Sequence, residues 1–152
     1  TRELITVLKH KVDIVTALHA CGSATDEAIV FGILQKASRI MAVPCFQNQM
    51  RGQLKNRNIL EHVCRHGLFR YKLGNFLTDC CRVLYLESIG YNVSLREIVP
   101  PTVTPKNLLI DASRKRNQKE PDFTEYRQIV DLFKVQPDIE KIYEEIINKN
   151  DF

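Results

Sequence analysis

The chain is 152 residues long, the size of one domain, and 44% hydrophobic with 26% charged residues. That balance excludes global disorder, because enough apolar surface exists to offset ordering entropy, and no apolar run approaches the roughly 18 residues of a membrane span. Lysine and arginine total 22 against 18 acidic residues, a net charge of +4, which permits an anionic partner without requiring one. Five cysteines and no secretory signal fit reduced thiols and a cytoplasmic location. The first residue is Thr1, not methionine, as in a processed chain or a piece of a longer one.

Strand and helix signals alternate along the chain. Leu4 to Lys11 is amphipathic and reads as a helix. Val12 to Leu18 is short, apolar and β-branched, the pattern of a buried strand, and His19 to Gly22 breaks it. Ser23-Ala24-Thr25-Asp26 has the spacing of a capped helix start, after which Ile29, Phe31, Ile33, Leu34 and Ala37 supply a packing side. Arg39 to Val43 is a second buried strand, ended by Pro44. Gln47 to Asn58 is polar and basic, a loop or short helix.

A long helix is predicted from about Tyr71 to Ser88, with Leu73, Phe76, Leu77, Cys80, Leu84 and Ile89 on its apolar stripe. Gly90 stands where a left-handed cap belongs. Tyr91 to Val99 alternates like a half-buried strand. A proline-rich connection from Pro100 to Pro105 leads to a last strand, Asn107 to Ala112. Two helices close the chain: Phe123, Tyr126, Ile129, Val130 and Phe133 mark the first, and Ile139, Ile142, Tyr143, Ile146 and Ile147 mark the second. The alternation predicts an α/β sheet, not a bundle.

Ligands of open α/β sheets sit beyond the carboxyl ends of parallel strands. Two such ends are legible, Leu18 to Asp26 and Val43 to Gln49. The segment Leu18-His19-Ala20-Cys21-Gly22-Ser23-Ala24-Thr25-Asp26-Glu27-Ala28 resembles the "LHACDxATDEA" stretch of a branch of S-adenosylmethionine-dependent methyltransferases. Val43-Pro44-Cys45-Phe46-Gln47-Asn48-Gln49 stands where that branch has a paired-cysteine stretch. Leu86-Glu87-Ser88-Ile89-Gly90-Tyr91 and Val99 to Ile110 follow in similar order, so the resemblance spans roughly Val12 to Ala112. A looser likeness, to a group of tRNA 2′-O-methyltransferases, bears on substrate class.

The resemblance implies a Rossmann-like sheet, here incomplete: strands four to seven, the last antiparallel, with two extra C-terminal helices. Residues 1–120 would be the C-terminal half of a methyltransferase domain and 121–152 a helical extension packed on it. It implies S-adenosylmethionine as cofactor, with Leu18, His19, Ala20, Cys21 and Asp26 towards it. Pro44, Cys45, Phe46, Gln47, Thr104, Lys106 and Asn107 would line the acceptor side. Gly22 and Cys45-Phe46 depart from the family pattern. The six glycines, at 22, 32, 52, 67, 74 and 90, include no G-x-G pair, so the loop that lets a backbone approach a cofactor closely is missing. An incomplete sheet has an apolar edge at its first strand, and such edges seek partners. That edge would pair with a preceding segment or a second copy, or lie under a C-terminal helix.

Each candidate also has a plain structural reading. His19 suits a satisfied strand-end residue as well as a pocket wall. Cys21 and Cys45 suit small buried hydrophobes, and without a C-x-x-C no metal site is expected. Asp26 suits helix-start electrostatics, Asp79 would need Arg82 or Arg70 as partner, and Cys80 is expected in the core. Arg51, Lys55 and Arg57 form one basic cluster, and Arg114, Lys115, Arg116 and Lys119 another. They read as solvated surface or as the footprint of an anionic substrate such as RNA. Function is therefore expected to be methyl transfer by part of a methyltransferase domain, or binding or scaffolding by a non-catalytic module of that fold.

Overall fold

The computed structural model describes residues 11–44, 49–54, 60–100, 102–104, 106–117 and 120–149. The helix predicted over Leu4 to Lys11 lies almost wholly outside them. Two apolar segments form the first parallel pair: β1 (Ile14–Leu18) and β2 (Arg39–Val43), in register from Ile14↔Arg39 to Leu18↔Val43. The helix α1 (Ser23–Leu34) connects them. After β2 come the short helices α2 (Gln49–Gln53) and α3 (Glu61–Cys64), then the long helix α4 (Gly67–Ser88). The strand β3 (Tyr91–Glu97) follows, then β4 (Leu108–Arg114) and the helices α5 (Thr124–Phe133) and α6 (Asp138–Lys149). The strand order is β1-β2-β4-β3. β4 is antiparallel to both of its neighbours, so β1, β2 and β3 run in one direction.

The period of two in a strand sorts its side chains by face. Val15, Ala17, Ile40, Ala42, Ile110 and Ala112 point into one core with Ile29 and Val30 of α1 and Leu77 and Leu86 of α4. Gly32 of α1 lets the helix settle on the sheet: a Cβ there would stand 2.7 Å from Ile40. On the other face Ile14 is 57% and Leu18 68% exposed. Further along that face, Asp111 is held by Arg39 at 2.7 Å and Arg96 at 3.4 Å.

α5 and α6 do not lie along the outer edge of β1, one of the places expected for them. They pack on α1 and α4. Tyr85 of α4 is ringed there by Phe123, Tyr126 and Tyr143, at centroid distances of 5.3 to 5.8 Å. The Tyr126 hydroxyl donates to Glu140 of α6 at 3.2 Å.

Several local expectations need correction. α1 has Gly22 at its N-cap and no side-chain cap; Ser23 is already the first helical residue, and Thr25 donates back to the Ala20 carbonyl at 2.5 Å. α4 starts at Gly67, a turn before Tyr71, because Leu68 and Phe69 are exposed and leave no apolar period to announce that turn. Its buried stripe is also rotated. Cys81 is fully buried while Phe76 is 66% exposed and Cys80 is only half-buried. The rotation puts Gly74 against the backbone of Arg51 in α2 and brings Thr78 and Arg82, both polar, inward to partners. β3 stops at Glu97 and is buried only at its start, since it is the sheet's second edge. Gly90 has φ of +94°, as its cap position requires.

Candidate functional site

Because β1 and β2 are parallel and in register at Leu18↔Val43, the turns that follow them leave the sheet at the same rim. The His19 amide donates to the Val43 carbonyl at 3.2 Å and ties the two ends together. β4 is antiparallel, so its beginning lies at this rim too. Thr104, Lys106 and Asn107 are therefore beside the ends of β2 and β3. Asn107 is buried and donates from Nδ2 to the Val99 carbonyl at 2.6 Å, while its carbonyl accepts from the Ile98 amide at 2.9 Å. The Thr104 hydroxyl accepts from the Lys106 amide at 3.1 Å. These bonds shape the connection from β3 to β4.

The first turn is conformationally unusual. His19 has φ of +52° and Gly22 φ of +61°. For a histidine that region costs on the order of 1 kcal/mol, and such residues gather at functional turns. His19 and Cys21 are exposed, Ala20 is half-buried and Leu18 presents its side chain to solvent. Pro44 is buried. Cys45, Phe46 and Gln47 lie outside the described residues, as do Lys55, Arg57 and Lys119.

Asp26 behaves differently from an exposed helix-start carboxylate. It is fully buried. Its Oδ1 accepts from Arg82 Nε at 2.7 Å, and its Oδ2 accepts from Arg82 Nη2 at 2.7 Å and from Gln49 Nε2 at 2.9 Å. Arg82 also donates from Nη1 to Asp79 at 3.2 Å and from Nη2 towards the Gly22 carbonyl at 3.5 Å. One arginine thus joins the turn after β1, the first turn of α1 and the middle of α4, while Gln49 brings in the segment after β2. Asp79 finds one of its two expected partners. The sequence offers Arg82 only as a partner for Asp79 and Gln49 only as the end of the turn after β2; that both meet Asp26 follows only once Asp26 is known to lie opposite. Gln49 Oε1 is enclosed without a hydrogen-bond partner among the described residues.

The two basic clusters separate. Arg51 is in α2 at this rim, whereas Arg114 and Lys115 close the opposite rim, where Arg114 Nη1 donates to the Lys36 carbonyl at 3.3 Å and the Lys115 amide donates to the Gly90 carbonyl at 3.0 Å. A cleft of about 440 Å³ beside Lys115 is lined by Glu87, Asp122 and Glu125, and burial pushes the Glu87 carboxyl up, helped by Glu125. A groove of about 740 Å³ runs between α5 and α6. Neither cavity opens at the rim of His19 and Pro44. Among the described residues no group of histidine, cysteine and carboxylate side chains is arranged for a metal ion, none of the four described cysteines is in a disulfide, and no helix is long and apolar enough to cross a membrane.

The fold and the rim define an α/β protein with a parallel β1-α1-β2 unit and a candidate site where its strands end. Residues 2–53, which contain that unit and both turns, match the family model described as a methyltransferase domain, and the match supports a methyltransferase family. Neither the curated proteins nor the solved structures gave a match. Methyltransferase domains of this kind use S-adenosylmethionine as methyl donor. What a donor could meet at this rim, among the described residues, is the exposed turn from Leu18 to Gly22 and the enclosed acceptor Gln49 Oε1, and the sequence has no G-x-G pair. By themselves they do not make a cradle for it.

Proposed function

We propose that this chain forms the second half of a methyltransferase sheet. In this reading the turns after β1 and β2 are the shared wall between S-adenosylmethionine and the methyl acceptor. The observation that carries it is the common rim: both turns of the matched βαβ unit leave the sheet side by side, tied by His19 to Val43. The strand order β1-β2-β4-β3 with β4 antiparallel supports assignment of these strands as four, five, seven and six of the complete sheet. Leu18, His19, Ala20 and Cys21 face the donor. Asp26 acts from behind, orienting the turn through Arg82 and Gln49. Pro44 to Gln47 with Thr104, Lys106 and Asn107 form the acceptor side. Catalysis by alignment of this kind contributes about 7 kcal/mol or more when reacting atoms are held in line.

Among the described residues β1 is an edge strand with Ile14 and Leu18 exposed, which supports the companion proposal that a preceding strand pairs with β1 and brings the missing glycine turn. RNA or another anionic molecule is the acceptor class that the basic residue Lys106 and the nearby Arg51 suit, and the cytoplasm the matching compartment. Isothermal titration with S-adenosylmethionine tests the reading. Binding by the chain joined to its preceding sequence, and weaker or no binding by these 152 residues alone, is the expected result. No binding by either form would leave the second reading, a non-catalytic binding or scaffold module, which the lack of a G-x-G pair favours.

A further inference from the structure

Tyr71 stands in the second turn of α4 at the site rim, half-buried. Lys106, from the connection into β4, places its Nζ 5.5 Å from the centre of the Tyr71 ring. One turn further along the same helix face, Gly74 lets the Arg51 backbone approach so closely that a Cβ would be 3.2 Å from its amide nitrogen. Three separate elements, α2, α4 and the β3–β4 connection, therefore meet around the phenol: Lys106 brings its ammonium over the ring, and Arg51 is anchored nearby by its backbone with its side chain exposed. Asn75 adds an amide next to the phenol. The Tyr71 hydroxyl is held below its ordinary range, first by its hydrogen bond with Asn75 and then by the charges of Lys106 and Arg51, against a desolvating effect of burial. Both charges acting on it are positive.

We propose that Arg51, Tyr71 and Lys106 form a phosphate-binding subsite on the acceptor side of the rim. The inference rests on the methyltransferase reading for its role, but not for its existence. An ionised phosphate ester has several acceptor oxygens and no donor, which suits the Lys106 ammonium, the exposed Arg51 side chain, the Tyr71 hydroxyl and the Asn75 amide. A carboxylate would use fewer of them. The Lys106 ammonium lies over one face of the Tyr71 ring and competes there with a stacked base; contact is to the phosphate, whether in a polynucleotide backbone or on a small substrate. The other basic cluster, at the opposite rim among Glu87, Asp122 and Glu125, is poorly suited to the same task.

The test uses the whole chain and two probes, a short labelled RNA of mixed sequence followed by fluorescence anisotropy at low salt, and inorganic phosphate followed by the tyrosinate absorbance band. Phosphate bound between the cations should move ionisation of Tyr71 back upward, a signal that Tyr71→Phe removes. The paired substitution Arg51→Met with Lys106→Met should weaken binding about tenfold or more and flatten the salt dependence by about one contact. Arg114→Met with Lys115→Met should leave both unchanged. Response to RNA far stronger than to phosphate supports a polynucleotide source, and comparable response supports a small phosphorylated substrate. Failure of both probes to bind, or equal binding by the Arg51/Lys106 variant with its circular dichroism intact, overturns the proposal. S-adenosylmethionine titration is read separately: if the donor never binds while phosphate binding depends on Arg51 and Lys106, the subsite stands and the methyl-transfer reading falls.

Discussion

Arg82 grips Asp26 through two nitrogens at 2.7 Å, and each side chain is 1% exposed. The pair lies between α1 and α4, where neither charge can reach water. Removing one partner would strand the other, a situation that costs about 3–5 kcal/mol. Arg82→Met and Asp26→Asn should therefore each lower stability by several kcal/mol in urea unfolding. Arg82→Met combined with Asp26→Leu should lose less than the sum of the single changes, because no buried charge then remains. Equal, additive losses would show that the two side chains are not coupled.

Gly32 and Ile40 offer a steric test of how α1 sits on the sheet. A Cβ at position 32 would meet Ile40 Cδ1 and Cγ1 at 2.7 Å, and Ile40 is buried in the core. Gly32→Ala should destabilise by about 1–3 kcal/mol, although alanine is the better helix former. In an Ile40→Val background, which lacks the offending Cδ1, the penalty should shrink. Thermal unfolding of the four proteins measures the coupling.

The thiols should separate by environment. Burial pushes Cys81 up to about 12, so it has almost no thiolate at neutral pH, while Cys21 is exposed. Native-state labelling with a disulfide reagent, located by mass spectrometry, should modify Cys21 within minutes and reach Cys81 only through unfolding. Fast labelling of Cys81 would place α4 in a different packing.

Asp111 links acid stability to the outer face of the sheet. The hydrogen bonds from Arg39 hold its carboxyl below the ordinary range, against partial desolvation, and the charges of Arg39 and Arg96 act in the same direction. A lowered folded-state value means that the stabilisation is complete above the unfolded carboxyl's range and is lost as pH falls through the folded value. Asp111→Asn should therefore lower stability at neutral pH and flatten the decline of stability in acid. Chemical denaturation across that pH range gives both.

The architecture was legible where apolar runs were short and β-branched: the two parallel strands, the helix between them and the last strand follow from that pattern, while the antiparallel direction of the last strand followed only from the methyltransferase resemblance. The common rim was legible for the same reason, since parallel neighbours end together. The face of α4 was not. Its apolar residues are spread around the helix, and the choice of buried side depends on Gly74, Thr78 and Arg82, whose partners are far away in sequence. Asp26 shows the same limit. A carboxylate in the first turn of a helix satisfies a local rule, and only the arrival of Arg82, 56 residues later, converts it into an internal charge. Tyr71 carried no signal either, because Lys106 and Arg51 meet it only after three elements have packed.

The position of β4 has a consequence for how the chain assembles. It is made last among the strands yet sits between β2 and β3, so a growing polypeptide holds an empty slot until residues 108–114 leave the ribosome. Both ladders that flank the slot need this one segment, so β3 joins the parallel pair in a single sheet only when β4 enters.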